Sequence, residues 1–222
     1  MDATAVVQHN AEMEFLPSLQ QFAAFLGASI LITLAPGPDN LMVLSLGMAR
    51  GRQAGIAFGL GCAAGCFNHT LLAALGVSAL ILASPPAFLA LKLLGGLYLV
   101  WLGVLAFLHA RKADAHAAMS MESPHQLFIR GLVANAINPK VVLFFLAFLP
   151  QFVAAEASQP GWRIALLGLL FTLQAALIFG IIGWFAGTIG ERLMRYPVWT
   201  IWLQRLAGGI FVLVGLQLLW GH

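Results

Sequence analysis

Charged residues are scarce in this sequence. Only 9% of its 222 residues are Asp, Glu, Lys or Arg, whereas 61% are hydrophobic, and the mean hydropathy is +0.92. A soluble domain carries about 25% charged residues, so this chain cannot cover a water-exposed surface with polar groups. The composition therefore excludes a soluble catalytic domain and a disordered chain. With only two cysteines, the chain is not a disulfide scaffold either.

Two motifs are also missing. No GxxxxGK[ST] run is present, which argues against ATP hydrolysis by this chain. The first 17 residues contain Asp2, Glu12 and Glu14 but no Lys or Arg. A secretory signal peptide has a basic start, so residues 1–17 are predicted to form a short external tail.

The apolar residues fall into six segments that are each long enough to cross a bilayer, which takes roughly 20 helical residues. These segments predict an all-α integral membrane protein with six transmembrane helices and no enzymatic activity. Residues 84–86 leave room only for a tight helical hairpin, and loops are predicted at 111–126 and 153–162. The predicted spans are 18–47, 54–83, 86–110, 127–152, 163–188 and 198–220.

The basic residues predict the orientation of these spans. Seven of the 11 Lys and Arg residues lie on one side of the predicted membrane, and only Arg163 lies on the other. Because cytoplasmic loops are enriched in Lys and Arg, the seven-residue side is predicted to be cytoplasmic and both termini external. The net charge of +3 is explained in the same way, so no nucleic-acid partner is predicted. The seven residues are Arg50, Arg52, Arg111, Lys112, Arg130, Arg192 and Arg195.

An internal repeat is visible in two places. The run 92–98 matches 205–211, with Gly95 aligned to Gly208, and Gly37-Pro38-Asp39 aligns with Asn138-Pro139-Lys140. Each half, 18–112 and 113–222, then holds three spans, and an odd number of spans gives the halves inverted topology. Inverted repeats with broken helices are typical of secondary transporters. The alternative is coincidence, since Gly pairs are common in membrane helices.

Pro38 and Pro139 are predicted to break spans one and four. Proline removes a backbone donor from a helix, and lipid cannot satisfy the freed groups, so such breaks survive inside protein or beside a cavity. Asn138 is a good N-cap before Pro139, and Gly37 and Pro38 do the equivalent in span one. Two half-helices are therefore predicted to start near the middle of the membrane with their positive ends converging.

The same breaks carry the ionisable groups near the middle of spans one and four, Asp39 and Lys140. An intramembrane ionisable residue indicates a functional site by default. A positive pocket beside one carboxylate suits a zwitterion. We expect the substrate carboxylate at the half-helix ends and Lys140, and the substrate ammonium at Asp39. The alternative is an Asp39–Lys140 salt bridge that only joins the halves.

Three further polar residues lie within the spans. His69 in span two has an ordinary pKa of about 6.5 and is predicted, with Asp39, to be the candidate for proton coupling. The alternative is a histidine packed and hydrogen-bonded in the bundle. Asn135 is a candidate substrate-binding residue, although intramembrane amides such as Asn135 and Gln174 often serve to hold helices together.

Cys62 and Cys66 are four residues apart on one helix face. They are interpreted as small apolar packing residues, and a membrane thiol oxidoreductase that uses both is kept as an alternative function. The pair with His69 does not have the spacing of a zinc site, so no metal and no cofactor is predicted. Carboxylate and histidine ligands are also sparse for a divalent-metal exporter, which is the other alternative.

The chain resembles the LysE/RhtB-type amino-acid exporters over roughly residues 20–220. The resemblance implies a six-span protein of the bacterial inner membrane that exports amino acids or their derivatives, driven by protons. It also implies a homodimer. The runs that carry it are 35–39 (APGPD), 50–55 (RGRQAG), 65–69 (GCFNH), 94–103 (LGGLYLVWLG), 135–140 (NAINPK) and 145–152 (FLAFLPQF).

The chain departs from this family at two positions. The family often has an acidic residue where Cys66 stands, and another near Gln174; both are absent here. The departures shift the expected proton coupling to Asp39 and His69, and they imply that cationic substrates are disfavoured.

Overall fold

The structure, a computed structural model, describes residues 19–108, 122–153, 160–195 and 197–220. All regular elements in these ranges are helical. The predictions for the external tail 1–17 and for the basic residues Arg111 and Lys112 lie outside the described residues.

Ten α-helices form the described bundle. In the first half they are α1 (Leu19–Leu34), α2 (Pro38–Arg50), α3 (Arg52–Leu72), α4 (Ser78–Ala83) and α5 (Pro85–Leu108). In the second half they are α6 (Pro124–Ala136), α7 (Pro139–Leu143), α8 (Pro160–Trp184), α9 (Ala186–Arg195) and α10 (Pro197–Trp220). A π-helical turn, Ala73–Val77, joins α3 to α4. After α7 the chain continues through a second π-helical turn, Phe144–Phe148, and a 3-10 turn, Leu149–Phe152, that contains Pro150.

The prediction of an all-α membrane protein with broken spans one and four is confirmed. Four stretches are long and apolar enough to cross a membrane: 52–80, 86–108, 160–184 and 201–220. Two helix pairs pass the same test together but are bent, α1–α2 by 54° and α6–α7 by 52°. Counting each bent pair as one span gives six.

Several helix boundaries differ from the sequence-based prediction by a few residues, and two of these differences are informative. Helix α6 begins at Pro124 rather than 127, because Ser123 and Gln126 form a capping box that satisfies the first turn. Span five ends at Trp184 rather than 188, and α9 follows as a separate helix. Residues 185–188 continue the apolar run of α8 in the sequence, so its hydropathy gave no sign of the turn at Phe185.

Helix α3 lies at the centre of the bundle and packs against α2, α6 and α8. Glycines let the backbones approach closely: a Cβ on Gly61 would overlap the carbonyl oxygen of Phe128, and one on Gly131 would overlap that of Phe58. Small residues drive such close packing in membrane helices, where lipid is as apolar as a side chain.

Helices α5 and α10 form a second closely packed antiparallel pair. Gly96 faces the carbonyl oxygen of Gly215, and Gly103 faces that of Gly208. This register brings Lys92 level with Leu219 and Arg205 level with Ala106, so the two cations lie near opposite ends of the pair. The glycines in contact, Gly96 with Gly215 and Gly103 with Gly208, are not the pairs that the sequence match aligned. The inverted repeat itself stays a prediction.

Candidate functional site

The first break lies between α1 and α2. Gly37 is extended, with φ −156°, and Pro38 occupies the first turn of α2. Among the described residues no side chain caps that turn, so the positive end of α2 lacks the side-chain acceptor that helix starts often have. The side chain of Asn40 reaches back across the break and donates to the carbonyl oxygen of Thr33 over 2.9 Å.

The second break has the predicted N-cap. The side-chain oxygen of Asn138 accepts a hydrogen bond from the backbone nitrogen of Lys140 over 3.1 Å, and Pro139 opens α7. The amide nitrogen of Asn138 is buried and has no hydrogen-bond partner among the described residues. The first turn of α7 is thus capped by its own side chain, unlike that of α2.

Lys140 joins the two breaks. Its Nζ donates to the carbonyl oxygens of Ile32 and Ala35, both over 3.1 Å. These oxygens lie at the C-terminal end of α1, where a helix leaves carbonyls unpaired and carries partial negative charge. A Cβ on Gly37 would lie 3.1 Å from Nζ, so a glycine there leaves room for the ammonium. Because an ammonium has three N–H groups, a third N–H is left beyond these two bonds, and Lys140 lines the cavity.

Asp39 is buried and its carboxylate is held by Asn135, whose amide nitrogen donates to Oδ2 over 2.9 Å. Asp39 is not paired with Lys140, since no ion pair within 4.0 Å joins the two side chains. The direct salt bridge that the sequence left open is therefore not formed. The contact that does link Asp39 to the second half of the chain is the one with Asn135.

His69 contacts the end of α6 at the second break, where the backbone N–H of Asn138 also donates to the carbonyl oxygen of Asn135 over 2.9 Å. Its Nε2 lies 3.0 Å from the carbonyl oxygen of Asn135, at the end of α6. A carbonyl oxygen only accepts, so Nε2 carries a hydrogen and the neutral ring leaves Nδ1 as its acceptor. The second break thus has a basic side chain at the end of its first helix, as the first break has Lys140.

Asn135 contacts most of these groups. Its side-chain nitrogen bonds to Asp39 and its main-chain oxygen contacts His69. Its side-chain oxygen lies 3.7 Å from the sulfur of Cys66. Gly65 faces it, and a Cβ on Gly65 would lie 2.8 Å from the Asn135 side chain. The sequence predicted Asn135 as a candidate substrate-binding residue, with an amide that only holds helices together as the alternative. Its contacts with α2 and α3 distinguish it from the other intramembrane amides.

A small cavity lies between the breaks. The volume open to the centres of water molecules is about 10 Å³, which is close to what one water needs. An amino acid therefore fits only after the helices around the cavity move apart. Its wall contains three site residues that the sequence predicted, Asp39, Asn135 and Lys140. The other wall residues were not predicted for the site: Ile32, Thr33, Cys66, Val141, Phe171 and Phe179.

Gln174 and the two cysteines extend the polar surroundings of the site. The amide nitrogen of Gln174 donates to the hydroxyl of Thr33 over 2.8 Å, while its buried Oε1 has no partner among the described residues. Cys62 and Cys66 are free thiols and both are buried. Within the described ranges, no group of three or more His, Cys, Asp or Glu side chains is placed to hold a metal ion.

Together, the bent helix pairs and the buried polar site between them define a multi-pass membrane protein with an intramembrane site at two helix breaks. The family model for the LysE type translocator matches residues 30–222. The chain belongs to this family.

Curated relatives span most of the chain. A leucine efflux protein of an Enterobacter species is 34% identical over 165 residues, which are 71% of this chain and 78% of that protein. The homoserine/homoserine lactone efflux protein of Salmonella typhimurium is 29% identical over 86% of this chain and 92% of its own. An uncharacterised membrane protein of Pseudomonas aeruginosa is 34% identical over 86% and 88%. No solved structure matches the chain.

Proposed function

We propose that this protein is a proton-coupled exporter of neutral amino acids in the bacterial inner membrane. The observation that carries the proposal is the buried carboxylate of Asp39. It lines the cavity between the two breaks and has one side-chain donor among the described residues, Asn135. A buried carboxylate with unused acceptor sites is suited to an ammonium group.

The substrate carboxylate is assigned to two groups near Asp39. The first is the uncapped positive end of α2, which favours an anion. The second is the remaining N–H of Lys140, whose other N–H groups donate to the carbonyl oxygens at the end of α1. The two charges of a zwitterion would then bind next to each other, at the first turn of α2 and beside Lys140.

The substrate side chain is assigned to the apolar wall formed by Ile32, Val141, Phe171 and Phe179. Asp39 is the one carboxylate in the lining, and it is engaged by the substrate ammonium in this arrangement. A second cationic group on the substrate would be left unpaired at a cost of several kcal/mol. Neutral aliphatic substrates are therefore proposed, which agrees with the relatives named for leucine efflux and for homoserine efflux.

A panel of labelled amino acids on proteoliposomes tests this proposal. Efflux of leucine or homoserine should accelerate with an imposed pH gradient, and lysine efflux should not. Asp39→Asn keeps an acceptor for Asn135 and should reduce efflux to the background with normal membrane abundance. Arg192→Gln, a substitution at an exposed residue of α9, serves as the matched control.

The double variant Asp39→Asn with Lys140→Gln separates a substrate site from a structural pair. A purely structural pair predicts that the double variant recovers both abundance and efflux. The proposed site predicts no efflux from the double variant, at an abundance similar to that of Lys140→Gln alone, and restored efflux would reject it.

The homodimer that the resemblance implies also belongs to this proposal. Cross-linking of the protein in native membranes tests it, since a dimer gives a band at twice the 23.7 kDa of one chain.

A further inference from the structure

Two helices of equal length connect the cavity to one end of the bundle. Helix α2 starts at the cavity with Asp39 and ends at Arg50, and α6 starts beside Glu122 and reaches the cavity at Asn135. Each has 13 residues, which is about 20 Å of helix. The two helices therefore run in opposite directions between the cavity and the same surface.

These helices are joined mainly at their ends. At the cavity, Asn135 donates to Asp39. At the surface, Arg50 donates through Nη2 to the main-chain oxygen of Glu122, and its Nη1 lies 3.8 Å from the Glu122 carboxylate. Between these points α2 and α6 share few contacts, and each packs against α3 instead. Helices α2 and α6 thus lie on either side of a path from the surface to the cavity.

The surface junction is a three-charge cluster. Arg130 also pairs with Glu122, with Nη1 2.8 Å from the same carboxylate oxygen. The side chains of Arg50 and Glu122 are only 20% and 23% exposed. Networks of partly buried charges contribute more than isolated surface pairs. Glu122 also directly precedes the N-cap Ser123, where the positive end of α6 stabilises an anion.

One carboxylate here holds two guanidinium groups together. Without the charge of Glu122, Arg50 on α2 and Arg130 on α6 would repel each other. Loss of the Glu122 charge therefore favours separation of α2 and α6, the two helices on either side of the path from the surface to the cavity.

We propose that Arg50, Glu122 and Arg130 form the cytoplasmic gate of the transporter, closed in this structure. Opening the gate separates the ends of α2 and α6 and admits substrate to the cavity. The side of the membrane follows from the predicted orientation, in which Arg50 and Arg130 face the cytoplasm. The gate concerns access to the site and does not depend on which substrate the site binds.

Cys66 provides a native reporter for this gate. It lines the cavity and is 1% exposed, and Cys62→Ser leaves it as the only cysteine. In inside-out vesicles of that background, a membrane-impermeant methanethiosulfonate should label Cys66 slowly. Adding Glu122→Gln should raise the labelling rate about three- to tenfold, as expected for a shift of a two-state equilibrium. Right-side-out vesicles should show no rise.

Two further variants complete the test. Arg192→Gln removes an exposed positive charge outside the cluster and should leave the rate unchanged. Exchanging the charges, Arg50→Glu with Glu122→Arg, rebuilds a tie between α2 and α6 and should return the rate towards that of the parent. Equal labelling of the Glu122→Gln and Arg192→Gln variants would overturn the proposal, as would an equal rise from both faces or a rise only in right-side-out vesicles. Labelling needs no transported substrate, so a failed efflux assay does not affect this result.

Discussion

The ammonium of Lys140 lies 3.1 Å from the carbonyl oxygen of Ala35, so a side chain from the second half of the chain ends a helix of the first half. His69 also contacts the end of α6, where its Nε2 lies 3.0 Å from the carbonyl oxygen of Asn135, an oxygen that also accepts from the backbone N–H of Asn138. Lipid offers no donors for such carbonyls. The first break therefore depends on a basic side chain from another helix.

Loss of the Lys140 ammonium should destabilise the protein. Lys140→Met leaves the carbonyl oxygens of Ile32 and Ala35 unpaired, and each buried unpaired group costs about 1–3 kcal/mol. Lys140→Gln keeps a donor and should lose less. Thermal denaturation in detergent and membrane abundance measure both, with Arg192→Gln as the control. An unchanged melting temperature for Lys140→Met would contradict the capping role.

His69→Gln separates the cap from proton coupling. A glutamine amide can replace Nε2 as donor to Asn135, but it does not titrate near neutral pH. If His69 carries the coupled proton, the variant should be as abundant as the wild type and its efflux should lose most of its pH dependence between about pH 5.5 and 7.5. His69→Ala should in addition lose abundance. A wild-type pH profile in the glutamine variant would assign His69 to structure alone.

Two glycines form a matched pair for the packing of α3. A Cβ on Gly131 would overlap the carbonyl oxygen of Phe58, whereas one on Gly180 in α8 meets nothing within 4 Å. We expect Gly131→Ala to cost about 1–3 kcal/mol through overpacking, and Gly180→Ala to be neutral or stabilising by up to about 1 kcal/mol. Melting temperatures of the purified variants check this. Equal shifts for both would argue against the close approach of α3 and α6.

Replacement of both cysteines tests the thiol oxidoreductase alternative. Cys62 and Cys66 are 0% and 1% exposed, which fits packing residues rather than an accessible thiol relay. Export should therefore survive in the Cys62→Ser, Cys66→Ser variant within about threefold, since each replacement alters packing only slightly. Complete loss of activity at normal abundance would favour the thiol function.

The predicted orientation is testable at the C-terminus. Both termini should lie outside because seven of the 11 basic residues were assigned to the cytoplasmic side. A reporter enzyme that is active only outside the cytoplasm should be active when fused after His222. Activity of a cytoplasmic reporter at the same position would reverse the assignment and place the Arg50–Glu122 cluster outside.

Much of the fold was predictable from the sequence because lipid imposes strict demands on it. Span length, the breaks at Pro38 and Pro139 and the cap at Asn138 all follow from local backbone chemistry. The contacts of Lys140 were not predictable, since hydropathy does not show that the ammonium turns towards α1 rather than Asp39. The same holds for Phe171 and Phe179, whose place in the cavity wall depends on how α8 packs against the breaks. Helix α9 was missed because its first residues continue an apolar run.

The bond between Lys140 and α1 also bears on how the chain is made. Ile32 precedes Lys140 by 108 residues, so α1 leaves the ribosome well before its capping group exists. During synthesis, the first break has to be shielded by water, by the insertion machinery or by a provisional helical pairing. We therefore expect membrane proteases to recognise a product that is truncated before α7. Quality control in the cell would then distinguish chains in which Lys140 has bonded to α1 from chains in which it has not.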